Sequence, residues 1–190
     1  MRQLSSRSTD HLTKDTFDAA AAMSVIAELD GLDILICSTY RDPWEQARLF
    51  RQSRPLVEIE RTAYRLRRGS NPEMADVLME VGPRYGRHVT NAAPGESWHQ
   101  WGRALDAVPW LDSKTLAWSA DSSNDAQYER ARNLWMIYGN AVRQAGMVWG
   151  GDWIQEDRPH CQIMETRSNP LWVLSDKTKA DWAERMGWND

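Results

Sequence analysis

The sequence is short of cysteine, of net charge and of long apolar runs, and each shortage excludes a class of protein. Its 190 residues include 2 Cys, too few for a disulfide scaffold or a four-cysteine zinc site. A formal net charge of −4 argues against nucleic-acid binding through a global basic field. No run approaches the roughly 18 apolar residues that span a bilayer, so we expect no membrane insertion.

The first residues lack the pattern of an export signal. Residues 1–14 are polar, and the nearest apolar stretch, 19–29, has Asp15, Asp18 and Glu28 around it with no cleavage pattern after it. We therefore expect the protein to be made and folded in the cytosol. If its substrate lies outside the membrane, another factor must release the protein.

Tryptophan, in contrast, is abundant, with 11 residues in the chain. This number favours a cleft or surface with aromatic walls, although core packing is the simpler explanation for most of them. The length and a hydrophobic content of 42% suit one domain with a sizeable core. Since no internal repeat or linker is visible, we predict a single domain over residues 1–190 and expect a monomer.

The apolar pattern predicts helices separated by short strands. The helices are Lys14–Leu29, Pro43 to about Ser53, Asp125–Ala145 and Ser175–Met186, and the strands are Leu32–Thr39, Arg103–Val108, Met147–Trp149 and His160–Met164. The first of these strands is expected to be buried. The arginine-rich segment 54–87 is predicted as a helical insertion of two helices, with a solvated surface favoured over an anion-binding one. Helices with short, non-consecutive strands indicate an α+β fold with a small antiparallel sheet.

Two stretches concentrate residues suited to metal binding and acid–base chemistry. They are Ser97-Trp98-His99-Gln100-Trp101-Gly102-Arg103-Ala104-Leu105-Asp106, and Gly150-Gly151-Asp152-Trp153 followed by Asp157-Arg158-Pro159-His160. A catalytic zinc takes three nitrogen or oxygen ligands and keeps a fourth position for water. His99, Asp106 and His160 fit this set if the chain enters a strand after Gly102 and His160 lies on a neighbouring strand. Asp157, three residues before His160, would then act as general base.

Taken singly, these residues have simpler explanations. A histidine is more often a surface or hydrogen-bonded residue than a metal ligand, and an aspartate is more often a helix cap or a solvated charge. The spacing therefore leaves a zinc site and a purely structural role both open.

Three sequence motifs resemble those of a known family. The first stretch matches S-x-H-x-x-G-x-A-x-D, the zinc signature of peptidoglycan metallopeptidases related to VanY-type D-alanyl-D-alanine carboxypeptidases. The second resembles the G-G-D-[WF] and D-x-P-H segments of their phage endolysin branch, the L-alanyl-D-glutamate peptidases. A third, Ser38-Thr39-Tyr40-Arg41-Asp42-Pro43 with Glu45-Gln46, resembles the S-x-Y-R-[ST]-x-x-x-Q region of the same enzymes. The resemblance covers about 31–164.

This resemblance implies a fold and a set of roles. The fold is that of the hedgehog and D-Ala-D-Ala peptidase-like zinc peptidases. The roles are zinc ligation by His99, Asp106 and His160, general-base catalysis by Asp157, oxyanion stabilisation by Arg41, structural support by Gln46, and substrate contacts by Ser97, Trp98 and Trp153. A salt bridge at the start of a helix remains the alternative for Arg41, and core packing remains the alternative for the tryptophans.

The resemblance also implies a function. It predicts a zinc-dependent hydrolase of bacteriophage origin, an antimicrobial endolysin that cleaves the L-Ala–D-Glu bond of the peptidoglycan stem peptide and lyses the host. A holin or equivalent would release it to the cell wall, and no separate wall-binding domain is expected. The alternatives are a D,D- or L,D-carboxypeptidase that trims the stem, and a non-catalytic zinc-stabilised binding module, which would not need Asp157.

The sequence departs from the family pattern at two places. Cys161 stands where the family usually has an aromatic residue, and segment 54–87 is longer than the usual connection between the arginine and zinc motifs. Asp152 resembles the acid of G-G-D, and both a structural and a catalytic role are open for it. Cys37 and Cys161 fall on strands that can be adjacent, but a cytosolic origin argues against a disulfide.

Overall fold

A computed structural model describes residues 7–69, 71–119, 123–163 and 169–188. The contacts divide the chain into two compact units, one within residues 1–40 and 102–166 and the other within 41–101 and 167–190. The prediction of one catalytic domain over 1–190, without a separate wall-binding domain, stays a prediction.

The described residues form an ordered series of helices and strands. The helices are α1 (Lys14–Leu29), α2 (Pro43–Arg51), α3 (Leu56–Arg68), α4 (Pro72–Glu80), α5 (Asp125–Gln144), α6 (Pro170–Val173) and α7 (Asp176–Met186). The strands are β1 (Ile34–Ser38), β2 (Ala104–Pro109), β3 (Val148–Trp149) and β4 (His160–Gln162). None of these helices is both long and apolar enough to cross a membrane.

The first unit is built on a four-stranded sheet in the order β1-β2-β4-β3, with every neighbouring pair antiparallel. Helices α1 and α5 pack in the same hydrophobic core as the sheet residues. Fully buried members of this core include Met23, Leu105, Val108, Tyr138 and Val142. This architecture confirms the predicted α+β class with a small antiparallel sheet flanked by helices.

Capping residues place the helix ends where the sequence predicts them. Helix α1 begins after Thr13 and ends at Leu29, just before Gly31 with its positive φ of 71°. At the start of α2 the Asp42 side chain accepts a hydrogen bond from the Glu45 backbone N–H at 2.7 Å. Gly187 ends α7 in the left-handed conformation.

The second unit contains the insertion, and its two predicted helices are present as α3 and α4. These helices bury Ile59, Ala63, Leu66, Ala75 and Leu78, so the insertion has an apolar interior of its own. Three of its arginines form ion pairs, which are Arg54–Glu58, Arg65–Glu96 and Arg67–Asp76. These pairs favour a structural role for the arginines over an anion-binding surface.

Two predictions about the strands need correction. The segment 32–39 was expected to be a buried strand, but β1 is an edge strand whose residues are all half-buried. Strand β1, which contains Cys37, and strand β4, which contains Cys161, are not adjacent because β2 lies between them. Two strand spacings make about 9.5 Å, beyond the roughly 7 Å that a disulfide bridges between Cα atoms. The predicted strand end at Met164 lies outside the described residues.

The two thiols are expected to differ in reactivity. Cys161 is fully buried, and burial raises the pKa of its thiol to about 12 despite a hydrogen bond from Tyr138. Cys37 is only half-buried. In the native protein at pH 8, an alkylating reagent should therefore modify Cys37 and leave Cys161 intact, because the thiolate is the reacting form. Peptide mass spectrometry checks this, with the denatured chain as a control in which both thiols react. Equal labelling of both in the native protein would contradict it.

Candidate metal centre and active site

The sheet register places two predicted zinc ligands side by side. Asp106 on β2 lies directly opposite His160 on β4 in the antiparallel ladder, so their side chains share one face of the sheet. The His160 Nδ1 atom is 3.2 Å from the Asp106 Oδ1 atom. Both side chains are largely buried, and the strands fix their separation before any metal binds.

The third predicted ligand precedes β2 on a short 3-10 turn, Trp98–Trp101. His99 is buried there, and its carbonyl oxygen accepts a hydrogen bond from the Arg41 backbone N–H at 3.3 Å. Gly102 follows with a positive φ of 62°, a conformation that glycine adopts without strain. The chain therefore turns into β2 directly after Gly102, as the predicted ligand set requires.

The three side chains converge. Ligand atoms of His99, Asp106 and His160 all lie within 4.8 Å of one another. Two imidazole nitrogens and one carboxylate oxygen are a donor set that zinc takes in catalytic sites, with a further position left for water. The residues present thus fit the predicted zinc cofactor.

The electrostatics around His160 favour a positive charge at this place. Burial alone would lower the pKa of the imidazole, but the hydrogen bond to Asp106 and the charges of Asp106 and Asp157 outweigh it. The pKa of His160 is therefore raised above its ordinary value. The Asp106 and Asp157 carboxylates thus give the surroundings of His160 a negative potential.

The second motif forms a closed turn that holds Asp157 beside His160. The Asp157 N–H donates to the Gly150 carbonyl at 3.0 Å, and the Asp157 carbonyl accepts from the His160 N–H at 3.0 Å. A Cβ at Gly150 would lie 2.3 Å from the Asp157 carbonyl oxygen, so only glycine fits. The Trp149 indole N–H closes the turn by donating to the Arg158 carbonyl at 2.7 Å. Asp157 itself is exposed, and its general-base role stays a prediction.

Asp152, whose role the sequence leaves open, has a structural contact. Its carboxylate forms a two-pronged ion pair with the Arg143 guanidinium, at 2.9 Å from Nε and 3.0 Å from Nη2. The same guanidinium lies over the Trp149 ring, 5.2 Å from its centre. Asp152 thus ties the glycine-rich turn to α5, which favours the structural alternative.

Arg41 is positioned by a buried glutamine. Its Nη1 atom donates to the Gln46 Oε1 atom at 3.0 Å, while the Gln46 amide donates to the Ala92 carbonyl at 2.6 Å. Gln46 is fully buried, in agreement with the supporting role expected for it. The oxyanion role of Arg41 stays a prediction.

The predicted substrate contacts have different surroundings. Ser97 is half-buried, and its carbonyl accepts from the Gln100 N–H at the start of the 3-10 turn. Trp98 is buried, and its indole N–H has no hydrogen-bond partner among the described residues. The Trp153 ring packs against the His160 ring with centres 5.2 Å apart. All three substrate assignments stay predictions.

The sequence reasoning missed two residues near the site. Gln162 contacts His160, and its position two residues later on a predicted strand, hence on the same face, was an available signal. Glu96, next to Ser97, receives hydrogen bonds from Arg65 Nη2 at 3.1 Å, the Ala93 N–H at 3.1 Å and Asn169 Nδ2 at 2.6 Å. The insertion therefore contacts the segment that leads into the first motif.

Comparisons with known proteins support this reading of the site. A sequence profile of the family described as D-alanyl-D-alanine carboxypeptidase matches residues 90–163, which include His99, Asp106, Asp157 and His160. The peptidoglycan L-alanyl-D-glutamate endopeptidase CwlK of Bacillus subtilis (strain 168) is 23% identical over 146 residues, which are 76% of this chain and 69% of that protein.

Two solved structures are also similar. The Serratia marcescens L-Ala D-Glu endopeptidase ChiX matches with a TM-score of 0.42 and 16% identity, over 84% of this chain and 88% of that chain. A mutant of the vancomycin-resistance D,D-pentapeptidase VanY from a VanB-type cassette, in complex with Zn(II), matches with a TM-score of 0.44 and 11% identity, over 94% and 84%. These likenesses are too low to carry an argument. The sequence comparisons confirm the resemblance predicted from the three motifs.

Proposed function

We propose that this chain, a zinc metallopeptidase, hydrolyses the L-Ala–D-Glu bond in the stem peptide of bacterial peptidoglycan. The observation that carries the proposal is the convergence of His99, Asp106 and His160 within 4.8 Å, with Asp157 held three residues before His160. Support for the substrate comes from the similarity to an L-alanyl-D-glutamate endopeptidase of peptidoglycan. It also comes from the second motif, whose residues resemble those of the L-alanyl-D-glutamate peptidases.

In this proposal the protein side chains perform the proton transfers. His99, Asp106 and His160 hold the zinc ion, which when bound supplies Lewis acidity that polarises a carbonyl and acidifies water. Asp157 accepts the proton of the attacking water and returns it to the leaving amine of the cleaved bond. Arg41, oriented by Gln46, stabilises the negative charge that develops on the substrate carbonyl oxygen.

The lysis of a bacterial host by a phage enzyme is the biological setting we propose. It is supported by the Gly150–Trp153 and Asp157–His160 segments, which resemble the endolysin branch of the family. A monomer released to the cell wall by a holin or equivalent fits this setting. Ser97, Trp98 and Trp153 are the residues we propose as substrate contacts.

Digestion of purified peptidoglycan tests the proposed reaction. Mass spectrometry after incubation with the zinc-loaded protein should show stem peptides released between L-Ala and D-Glu, and a zinc chelator should abolish that release. A parallel sample with zinc restored after chelation controls for damage by the chelator.

Two other outcomes would contradict the proposed reaction. The matching family is described as D-alanyl-D-alanine carboxypeptidase, so a carboxypeptidase is the second candidate, and loss of only the terminal D-Ala would establish it. No product from a protein with zinc bound would instead favour the binding module.

A further inference from the structure

A buried glutamine lies behind one of the proposed zinc ligands. Gln162 is 2% exposed and follows His160 by two residues on β4, so both side chains project from the same face of the sheet. Its Oε1 atom lies 3.0 Å from the His160 Nε2 atom. This separation is within hydrogen-bond distance. Gln162 therefore contacts one of the two ring nitrogens of His160.

The surroundings of the two ring nitrogens indicate which one is turned toward a metal ion. The Gln162 carboxamide can accept a hydrogen bond through its oxygen, which suits a hydrogen on the Nε2 atom of His160. In the neutral ring that tautomer leaves the lone pair on Nδ1, where an ion shared with the Asp106 carboxylate would use it. The Nδ1 atom is the nitrogen that faces Asp106, 3.2 Å from Oδ1, and a neutral imidazole lone pair is what a metal ion binds.

Two contacts on different sides restrict the same ring. Gln162 contacts the Nε2 edge of His160, while the Trp153 ring packs against it with the planes inclined at 43°. A half-turn of the imidazole about its bond to Cβ would move Nε2 away from Gln162 and Nδ1 away from Asp106. The observed orientation is therefore the one in which Nε2 faces Gln162 and Nδ1 faces Asp106.

We infer that Gln162 is a positioning residue that holds His160 in the Nε2–H tautomer and directs Nδ1 to the zinc ion. The inference rests on the metal site of the proposed function, but not on the bond that the enzyme cleaves. Loss of such an outer partner of a metal-bound histidine typically lowers metal affinity about 10–100-fold.

Zinc affinity of two variants tests the role of the acceptor. Gln162→Leu keeps the volume and removes the acceptor, so its zinc affinity, measured by competition with a chromophoric chelator, should fall about 10–100-fold. Gln162→Glu restores an acceptor oxygen and should bind zinc within a few-fold of the unmodified chain. Unchanged affinity in Gln162→Leu, or an equal loss in both variants, would overturn the inference.

The unmodified protein offers a second test that does not depend on the folding of a variant. In the zinc-loaded chain, ¹⁵N chemical shifts of the His160 ring should identify Nδ1 as the metal-bound nitrogen and Nε2 as protonated. His11 and His88, outside the site, serve as internal references. Metal bound through Nε2 would overturn the inference. A chain that binds zinc through Nδ1 but leaves peptidoglycan uncut would contradict only the proposed function.

Discussion

The variant Asp157→Ala is expected to lose peptidoglycan cleavage by about a thousandfold, within the range that general acid–base catalysis contributes, while it keeps its zinc. Asp157 is the proton acceptor that we propose, and it is not among the three converging ligands. Release of stem peptide, followed by mass spectrometry, measures the turnover. Zinc content per chain, measured on the same preparation, separates a catalytic defect from loss of metal.

This substitution should not disturb the fold around it. The backbone of Asp157 bonds to Gly150 and His160, and alanine preserves both bonds. The side chain is exposed, so its removal leaves no cavity. A thousandfold loss with zinc retained would therefore report on the proton transfer.

Asp152→Asn is the matched control for this experiment. Asp152 is a nearby exposed aspartate of the same glycine-rich turn, and its carboxylate pairs with Arg143. We expect near-normal turnover, since an exposed ion pair contributes about 1 kcal/mol or less to stability. Near-normal turnover in Asp157→Ala would show that another group is the base.

The variant Asp106→Asn is expected to lose zinc, with an affinity lower by more than the roughly 100-fold that loss of an outer contact can cost. The change removes the only carboxylate from the three converging ligands. The pairing of β2 with β4 is a backbone ladder, so it should survive the substitution. Metal content after dialysis measures the result, and cleavage should fall with it.

Asp112→Asn is the control for the charge change. Asp112 lies in the turn after β2, where one carboxylate oxygen accepts from the N–H groups of Lys114 and Thr115, each at 2.8 Å. Asparagine can accept the same bonds, so full zinc content is expected. Stoichiometric zinc in Asp106→Asn would remove Asp106 from the ligand set.

Local patterns in the sequence were sufficient to predict the helices and part of the site. Helices α1 and α2 were predictable because their boundaries depend on nearby residues, such as the Asp42 cap and the proline that follows it. The convergence of Asp106 with His160 was predictable because both fall on strands. The match of the motifs to the family signatures then distinguished metal ligands from ordinary polar residues. Spacing alone did not make this distinction.

Contacts between distant residues were not predictable in the same way. The ion pair between Arg65 and Glu96 joins residues 31 positions apart. The periodicity of apolar residues along the sequence does not indicate such a pairing. The close approach of Gly150 to Asp157 is likewise visible only in three dimensions. The half-buried state of β1 depends on its place at the edge of the sheet, because an edge strand has a neighbour on one side only.

Chimeras that exchange the helical insertion between relatives would be sensitive to a single acidic residue outside the exchanged segment. Glu96 has a side chain only 9% exposed, and Arg65 of the insertion supplies a positive charge to it. A donor segment without a cation at that place would leave a buried carboxylate short of a partner, which is costly. Transplanted insertions should therefore be chosen for an arginine at the equivalent position, or residue 96 should be exchanged together with them.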